Sequence, residues 1–160
     1  MVHTTNLYTL EIFITSGPVT QKFIKQNPVI SRTIEVRGNQ TLEDLHYAIF
    51  NAFDREDEHM YEFQIGGKGP NDPNAKQYGL SSAFEDVTDQ AKSEGDVTQT
   101  SIDTLSLKVD EIFGYWFDFG DDWWHQINVI SIEKKSLTDD YPKVTKRIGK
   151  SPPQYADFEE

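Results

Sequence analysis

The chain contains no cysteine, which excludes disulfide bridges, thiol catalysis and thiolate metal sites. It is also poor in basic side chains: 15 lysines and arginines stand against 27 acids, for a formal net charge of −12. Proteins that bind nucleic acid through its phosphates need clustered lysine and arginine, so we expect binding neither to nucleic acid nor to anionic membranes. The one basic run, from Lys143 to Lys150, is predicted to be a solvated surface loop.

Long apolar runs are absent too. No stretch approaches the ~20 apolar residues that a membrane-spanning helix needs. The first ten residues lack the basic region followed by an apolar core that marks a signal peptide. We therefore expect no membrane attachment and a cytoplasmic location, with which the lack of cysteine agrees.

What the chain does have is aromatic residues, which make up 12% of its 160 positions although hydrophobic residues reach only 36%. Each large ring buries a large area, so a few of them can build a core where aliphatic residues are sparse. The length suits one domain. We predict a single domain over residues 1–160, with a long polar excursion at about 66–100 that contains one short helix near Ser81 to Asp86.

The order of predicted elements indicates an α+β fold. Strands are predicted at Leu7 to Ile14, Val29 to Val36, Met60 to Ile65, Ile112 to Phe119 and Trp123 to Glu133. Thr41 is typical of a helix cap, and the helix after it buries a stripe formed by Leu42, Leu45, Ile49 and Phe53. This order predicts a mainly antiparallel mixed sheet with helices packed on one face.

The segment from Phe113 to Val129 combines many aromatic rings with acids and a histidine, which is typical of a hairpin that carries a polar cluster. A loop of two or four residues would place Asp118 opposite His125, and cross-strand Cβ atoms lie ~4.5–5.5 Å apart. A loop of three residues would place Phe117 there instead. In the first register, the rings of residues 115, 117 and 119 would pack on the other face of the hairpin.

An Asp118–His125 pair has two interpretations, which the sequence leaves open. The pair can satisfy two half-buried polar groups and be purely structural, or it can mark a functional site. For Asp121 and Asp122, the simple interpretation is a turn in which each side chain bonds its own backbone.

The other histidines have default interpretations of their own. His46 borders the buried stripe and is predicted to be a satisfied core residue, whereas His59 is expected at the surface. No His-x-His or His-Glu-x-x-His spacing and no phosphate-binding or dinucleotide motif occurs, so we expect neither a metal nor a cofactor.

Four segments of the chain together resemble the plasmid pRiA-type ORF-3 family. They are LHYAI at 45–49, HMYEF at 59–63, YWFDFGDDWWH at 115–125 and SPPQY at 151–155. The resemblance implies an α+β fold and association with mobile elements, but no assigned molecular function. The pattern residues that it implies are Arg32, His46, His59, Phe63, Asp118, Gly120, Asp121, Trp123 and His125.

The chain departs from this family pattern at two places. Ser31 stands where many members have a tryptophan, and residues 149–151 stand where many have cysteines. Some members are labelled transposon passenger proteins of a TnpR-like kind. We reject recombinase activity, because the chain has only four arginines, no second helix in tandem and a charge of −12.

These observations lead to two hypotheses about function. The first is a protein- or small-ligand-binding or adaptor domain that uses the hairpin 113–129. The second is a hydrolytic or metal-assisted enzyme with Asp118 and His125 as its acid–base pair and Asp121 as an auxiliary carboxylate. A deep pocket with converging ionisable groups would favour the enzyme, and an aromatic surface with satisfied polar groups would favour the binding domain. The candidate ligand-binding residues are Arg32, His46, His59, Asp118, Asp121, Trp123 and His125.

Overall fold

The computed structural model describes residues 4–70, 72–80 and 93–155. Within these ranges the chain forms one eight-stranded sheet, two α-helices and a 3₁₀ helix. The strands are β1 (Thr5–Ser16), β2 (Ser31–Arg37), β3 (Tyr61–Ile65), β4 (Lys76–Gly79), β5 (Ser93–Asp96), β6 (Ile112–Phe117), β7 (Trp123–Lys135) and β8 (Lys143–Ile148). The helices are α1 (Gln21–Gln26) and α2 (Leu42–Ala52), and the 3₁₀ helix is Ile102–Leu105.

The strands lie in the order β5-β4-β3-β6-β7-β1-β2-β8. Neighbouring strands are antiparallel, except that β4 and β5 are parallel. The prediction of an α+β fold with a mainly antiparallel mixed sheet in a single domain is therefore confirmed. Hairpin strands β6 and β7 lie in the middle of the sheet, which places the aromatic segment at the centre of the molecule.

Helix α2 forms where the sequence predicts it. The Thr41 hydroxyl accepts from the Asp44 backbone N–H, and the Asp44 carboxylate accepts from the Thr41 backbone N–H, so both ends of a capping box are present. Leu42, Leu45 and Ile49 are buried, as the stripe predicts. The helix thus presents one apolar side to the sheet.

The two faces of the sheet differ in character. We call the face that α2 covers the inner face, because the His46 ring on α2 stacks on Tyr61 of β3 with ring centroids 3.6 Å apart. Side chains alternate along a strand, so Phe63 shares the inner face with Tyr61 while Glu62 and Gln64 point to the opposite, outer face. Phe23 of α1 packs against the same core, and the placement of both helices on one face stays a prediction.

Helix α1 and strands β4, β5 and β8 were not predicted from the sequence. Helix α1 has no buried residue and so shows no apolar stripe. Strands β4 and β5 are four residues each and lie within the predicted excursion, whose expected helix near Ser81 to Asp86 falls outside the described residues.

The prediction that the basic run is a surface loop is wrong, because Lys143 to Ile148 form strand β8. Among the described strands, β8 pairs only with β2 and lies at the sheet edge, where its mostly exposed, polar side chains show no apolar alternation. Lysines on an edge strand discourage pairing with another chain. Across the residues that the structure describes, no helix is long and apolar enough to cross a membrane.

Candidate functional site

The hairpin closes in a different register from the one predicted. Tyr115 lies opposite His125, and Phe117 lies opposite Trp123. The prediction of a cross-strand Asp118–His125 pair is therefore wrong. His125 shares the inner face with Tyr115 and Phe117, whereas the Phe119 ring is 37% exposed.

The reason is a five-residue loop, 118–122, that the aspartates themselves build. Asp118 and Asp122 adopt left-handed backbone conformations, with φ of 64° and 58°, and aspartate tolerates this region better than most residues. Asp118 Oδ1 accepts from the backbone N–H groups of Gly120 and Asp121, each at 3.1 Å. Asp118 thus ends strand β6 instead of pairing across it.

His46 occupies the centre of a buried hydrogen-bonded chain on the inner face. Its Nε2 lies 2.9 Å from a Glu58 carboxylate oxygen, and its Nδ1 lies 2.5 Å from the Tyr115 hydroxyl. Burial lowers the pKa of His46 to about 3, so the ring is neutral. Nε2–H then donates to Glu58, and Nδ1 accepts from Tyr115, so the contact with Glu58 is a hydrogen bond and no ion pair. His46 is a satisfied core residue, as predicted.

Arg55 lies next to this chain. Its guanidinium carbon is 3.9 Å from the Trp123 ring centroid and 5.8 Å from that of Phe117. Burial lowers its pKa to about 10, and Tyr115 and Asp118 act in the opposite direction. Neither Nη1 nor Nη2 has a hydrogen-bond partner among the described residues. Arg55 is only 7% exposed, although it lies within the highly charged stretch 54–58.

His125 is buried beside Arg55. Its Nδ1–H donates to the Tyr115 carbonyl at 3.2 Å, and within the described chain its Nε2 has no partner. Burial, with the nearby Arg55 charge as a smaller cause, lowers the pKa of His125 to about 3. The space between the two side chains is lined by Ile49, Phe50, Arg55, Tyr115, Phe117 and His125 and is too narrow for a water molecule. A substrate has no room there.

His59 and Asp118 meet at the end of the sheet. His59 Nε2 is 3.4 Å from Asp118 Oδ2 and 3.0 Å from the Tyr155 hydroxyl. The Tyr155 hydroxyl also bonds to Asp57 Oδ2 at 3.0 Å. The C-terminal tail, through Gln154 Oε1, accepts from the backbone N–H groups of residues 56 and 57. These contacts fix the tail on the loop before β3, and the His59 side chain is 35% exposed there.

Arg32 lies away from His59 and Asp118, and its contacts are structural. Its Nε donates to the Ala52 carbonyl at the end of α2, and Nη1 donates to the carbonyls of Ser31, Ile148 and Gly149. Its guanidinium also lies 4.9 Å from the centroid of the Phe53 ring. The side chain is 2% exposed and cannot reach a ligand. Asp121, another predicted site residue, is exposed on the loop.

An open cleft lies on the outer face of the same hairpin. It is lined by Glu62, Gln64, Asp72, Pro73, Gln77, Trp116 and Trp124, and its volume is about 430 Å³. We call it the outer-face cleft. Strands β3, β4, β6 and β7 form its floor, and the loop after β3 forms one wall, where the Pro70 backbone covers Gly114. Small-molecule sites in proteins occupy ~300–1,000 Å³.

Three aromatic rings form a stack beside this cleft. The Trp116 ring lies parallel to Trp124, with centroids 4.8 Å apart and 5° between planes, and Phe119 lies 4.2 Å from Trp116. Asp122 Oδ1 accepts from Trp116 Nε1–H at 2.9 Å, which orients the ring. Trp116 and Trp124 are half-buried, unlike the fully buried Trp123.

No group of three or more histidines, aspartates and glutamates that could hold a metal ion occurs among residues 4–70, 72–80 and 93–155. On the inner face, His46 bonds Glu58 and Tyr115, whereas Arg55 Nη1 and Nη2 and His125 Nε2 have no hydrogen-bond partner among the described residues.

A family model for plasmid pRiA4b ORF-3-like proteins matches residues 20–157. The chain belongs to this family. Six of the pattern residues that the resemblance implies lie on the inner face or beside it at the end of the sheet, namely His46, His59, Phe63, Asp118, Trp123 and His125. In this ORF-3-like chain His46, Phe63, Trp123 and His125 are buried. His59 meets Asp118 at the end of the sheet, Gly120 and Asp121 belong to the hairpin loop, and Arg32 anchors the end of α2.

A solved protein of unknown function from Methanosarcina mazei Go1 shares the fold of this ORF-3-like chain. The two are 24% identical, with a TM-score of 0.66, over 94% of this chain and 73% of the other. No curated protein is significantly similar to the chain. The relationship therefore supports the fold.

The sequence interpretation missed the residues of the outer-face cleft. The signal was present in Tyr61-Glu62-Phe63-Gln64-Ile65, where polar side chains alternate with apolar ones. Alternation of this kind predicts a second face that carries the glutamate and the glutamine. That Trp116 and Trp124 join them depends on the hairpin register, which the sequence left ambiguous.

Proposed function

We propose that this ORF-3-like protein is a binding module that holds a small ligand in the outer-face cleft. The observation that carries the proposal is the contrast between the two faces of one hairpin. On the inner face, the space between Arg55 and His125 is too narrow for water, whereas the outer face is open over about 430 Å³ beside two stacked, half-buried tryptophans.

The composition of the cleft supports a ligand-binding role. Stacked tryptophans supply a rigid apolar wall, and carboxylate and amide groups supply the few polar contacts that orient a ligand. The cleft volume suits a small molecule or one side chain of a partner. The lack of cysteine agrees with our proposal that the module works in the cytoplasm.

The enzyme hypothesis in its original form depended on Asp118 and His125 as an acid–base pair. Because the register separates these residues and Asp118 bonds loop amides, they cannot act as such a pair. A binding module needs only the open face and its aromatic stack.

The three tryptophans allow a direct test, because uniform ¹⁵N labelling yields one indole N–H signal for each. Single Trp→Phe variants assign the signals. We expect a ligand found by screening to shift the signals of Trp116 and Trp124 and to leave that of the buried Trp123 unchanged. Trp124→Ala is expected to abolish binding.

The matched control is Phe13→Ala, on the same outer face of neighbouring strand β1. It removes a partly buried ring outside the cleft lining, and ligand affinity is expected to stay unchanged. A ligand that shifts only the Trp123 signal would contradict the proposal, because it would bind on the inner face.

A further inference from the structure

The outer-face cleft carries an unbalanced charge, and this points to the chemistry of its ligand. We propose that the cleft recognises an organic cation, with an ammonium or guanidinium group held by Glu62 and packed against Trp116 and Trp124. This inference rests on the proposed function, since it assigns a ligand class to the same site.

Glu62 is the first observation behind it. The residue is only 8% exposed, and its Oε1 accepts one hydrogen bond, from Gln64 Nε2 at 2.8 Å. Burial raises its pKa. No lysine, arginine or histidine of the described chain forms an ion pair with it. A buried carboxylate without a counter-charge is costly, and a bound cation would supply that charge.

Gln64 is the second, independent observation. It is 3% exposed, and its Oε1 has no hydrogen-bond donor among the described residues. Glu62 and Gln64 both line the cleft, so a carboxylate and a buried amide oxygen without a donor, which lies against Gly114, form part of its floor. A ligand that satisfies them must donate hydrogen bonds, as ammonium and guanidinium groups do and carboxylates do not.

The remaining lining residues agree in sign. The backbone N–H groups of Asn74 and Lys68 donate to the Asp72 carboxylate and lower its pKa, which favours the negatively charged form. The Lys68 charge acts on Asp72 in the same direction, but within the described residues no basic side chain lines the cleft. The local charge therefore favours a cation over an anion.

The aromatic stack supplies the third part of a cation site. Glu62 on β3 lies directly opposite Trp116 on β6, so the carboxylate and the ring are neighbours on the outer face. A cation within ~6 Å of a tryptophan ring is attracted by the π-electrons, and a nearby carboxylate adds to that attraction.

The test compares matched probes that differ by one charge: N-acetyl-arginine amide against N-acetyl-citrulline amide, with spermidine and a neutral maltose oligosaccharide as further probes. The readout is the shift of the Trp116 and Trp124 indole signals on titration. We expect the arginine compound and spermidine to bind, and the citrulline compound to bind at least about tenfold more weakly.

Glu62→Gln removes the charge with little change in shape, and it is expected to weaken binding of the arginine compound about tenfold or more. Glu11→Gln is the control, because Glu11 lies on the outer face of β1 away from the cleft and carries the same charge. It is expected to leave affinity unchanged. Circular dichroism and thermal melts confirm that both variants fold.

Each alternative outcome has a distinct meaning. Equal affinity for arginine and citrulline probes, or no effect of Glu62→Gln, would overturn the cation inference. Binding of the oligosaccharide alone at Trp116 and Trp124 would overturn it as well, while the proposed binding module would survive. If the probes bind but shift only the Trp123 signal, both proposals fail.

Discussion

At the scale of single residues, position in the fold decides what each ionisable side chain does. His46 and His125 are neutral because burial lowers the pKa of each to about 3. Asp118 sits one residue beyond strand β6 and caps loop amides. The same residue types near water would titrate and exchange partners freely.

The two buried histidines make stability depend on pH. Imidazole in the unfolded chain takes up a proton below about pH 6.5, whereas both folded rings stay neutral down to about pH 3. Their contribution is therefore complete above pH 6.5 and is lost as the pH falls toward 3. Between these pH values, each histidine lowers the free energy of unfolding by about 1.4 kcal/mol for each pH unit of acidification. Urea denaturation between about pH 8 and pH 5 measures it.

The double variant His46→Gln/His125→Gln removes both groups and is expected to flatten the pH dependence, even though it is less stable at neutral pH. His46→Gln alone should remove part of the slope. The parent and the double variant share all their acidic residues, so any difference in the slope of stability against pH comes from the two histidines. Equal slopes in the two proteins would contradict the prediction.

At the scale of elements, the hairpin and the loop after β3 form a unit held by a close backbone approach. Gly114 on β6 has the Pro70 Cα 2.5 Å from the place where a Cβ would stand. This approach brings the loop over the outer face and creates one wall of the cleft. A side chain at position 114 would displace the loop.

Gly114→Ala is therefore expected to destabilise the protein by about 1–3 kcal/mol, because the added methyl group meets backbone. Gly120→Ala is the control: the nearest atom to its new methyl group is Asp118 Oδ1 at 3.4 Å, and a change within about 0.5 kcal/mol is expected. Urea denaturation of the two variants measures both effects. Equal stabilities would show that the loop does not rest on β6.

At the scale of the whole molecule, the net charge of −12 sets which partners can approach. The basic residues of β8 lie along one sheet edge, with Lys143 already within 3.3 Å of an Asp139 carboxylate oxygen. An acidic surface repels phosphates and steers cations toward it. The charge of the molecule therefore agrees with the ligand class proposed for the cleft.

We predict no sequence-independent binding to duplex DNA at physiological salt. Binding of this kind requires several phosphate contacts from lysine and arginine, and its strength falls steeply with salt. A mobility-shift titration with random duplex is the measurement. A complex at micromolar protein that dissolves as salt rises would refute the prediction.

The sequence by itself determined the class of the fold, because the apolar patterns of strands and helices involve only neighbouring residues. They can be recognised without knowing which elements pack together. The capping box at Thr41, the stripe of α2 and the long strands β1 and β7 all follow from neighbouring residues. It also determined the sign of the charge, the absence of thiol chemistry and the family, since these depend on residue identity alone.

Only the tertiary structure decided the register of the hairpin and hence the site. Because the loop has five residues and not two or four, the cross-strand partner of His125 is Tyr115 and not Asp118, and Trp116 lies opposite Trp124. A shift of one residue in a strand changes the face that every side chain occupies. The length of the loop depends on Asp118 and Asp122, whose left-handed backbone conformations cannot be read from the sequence. The position of Glu62 in the lining of a cleft depends likewise on the loop after β3, which folds back over β6 and brings together residues far apart in the chain.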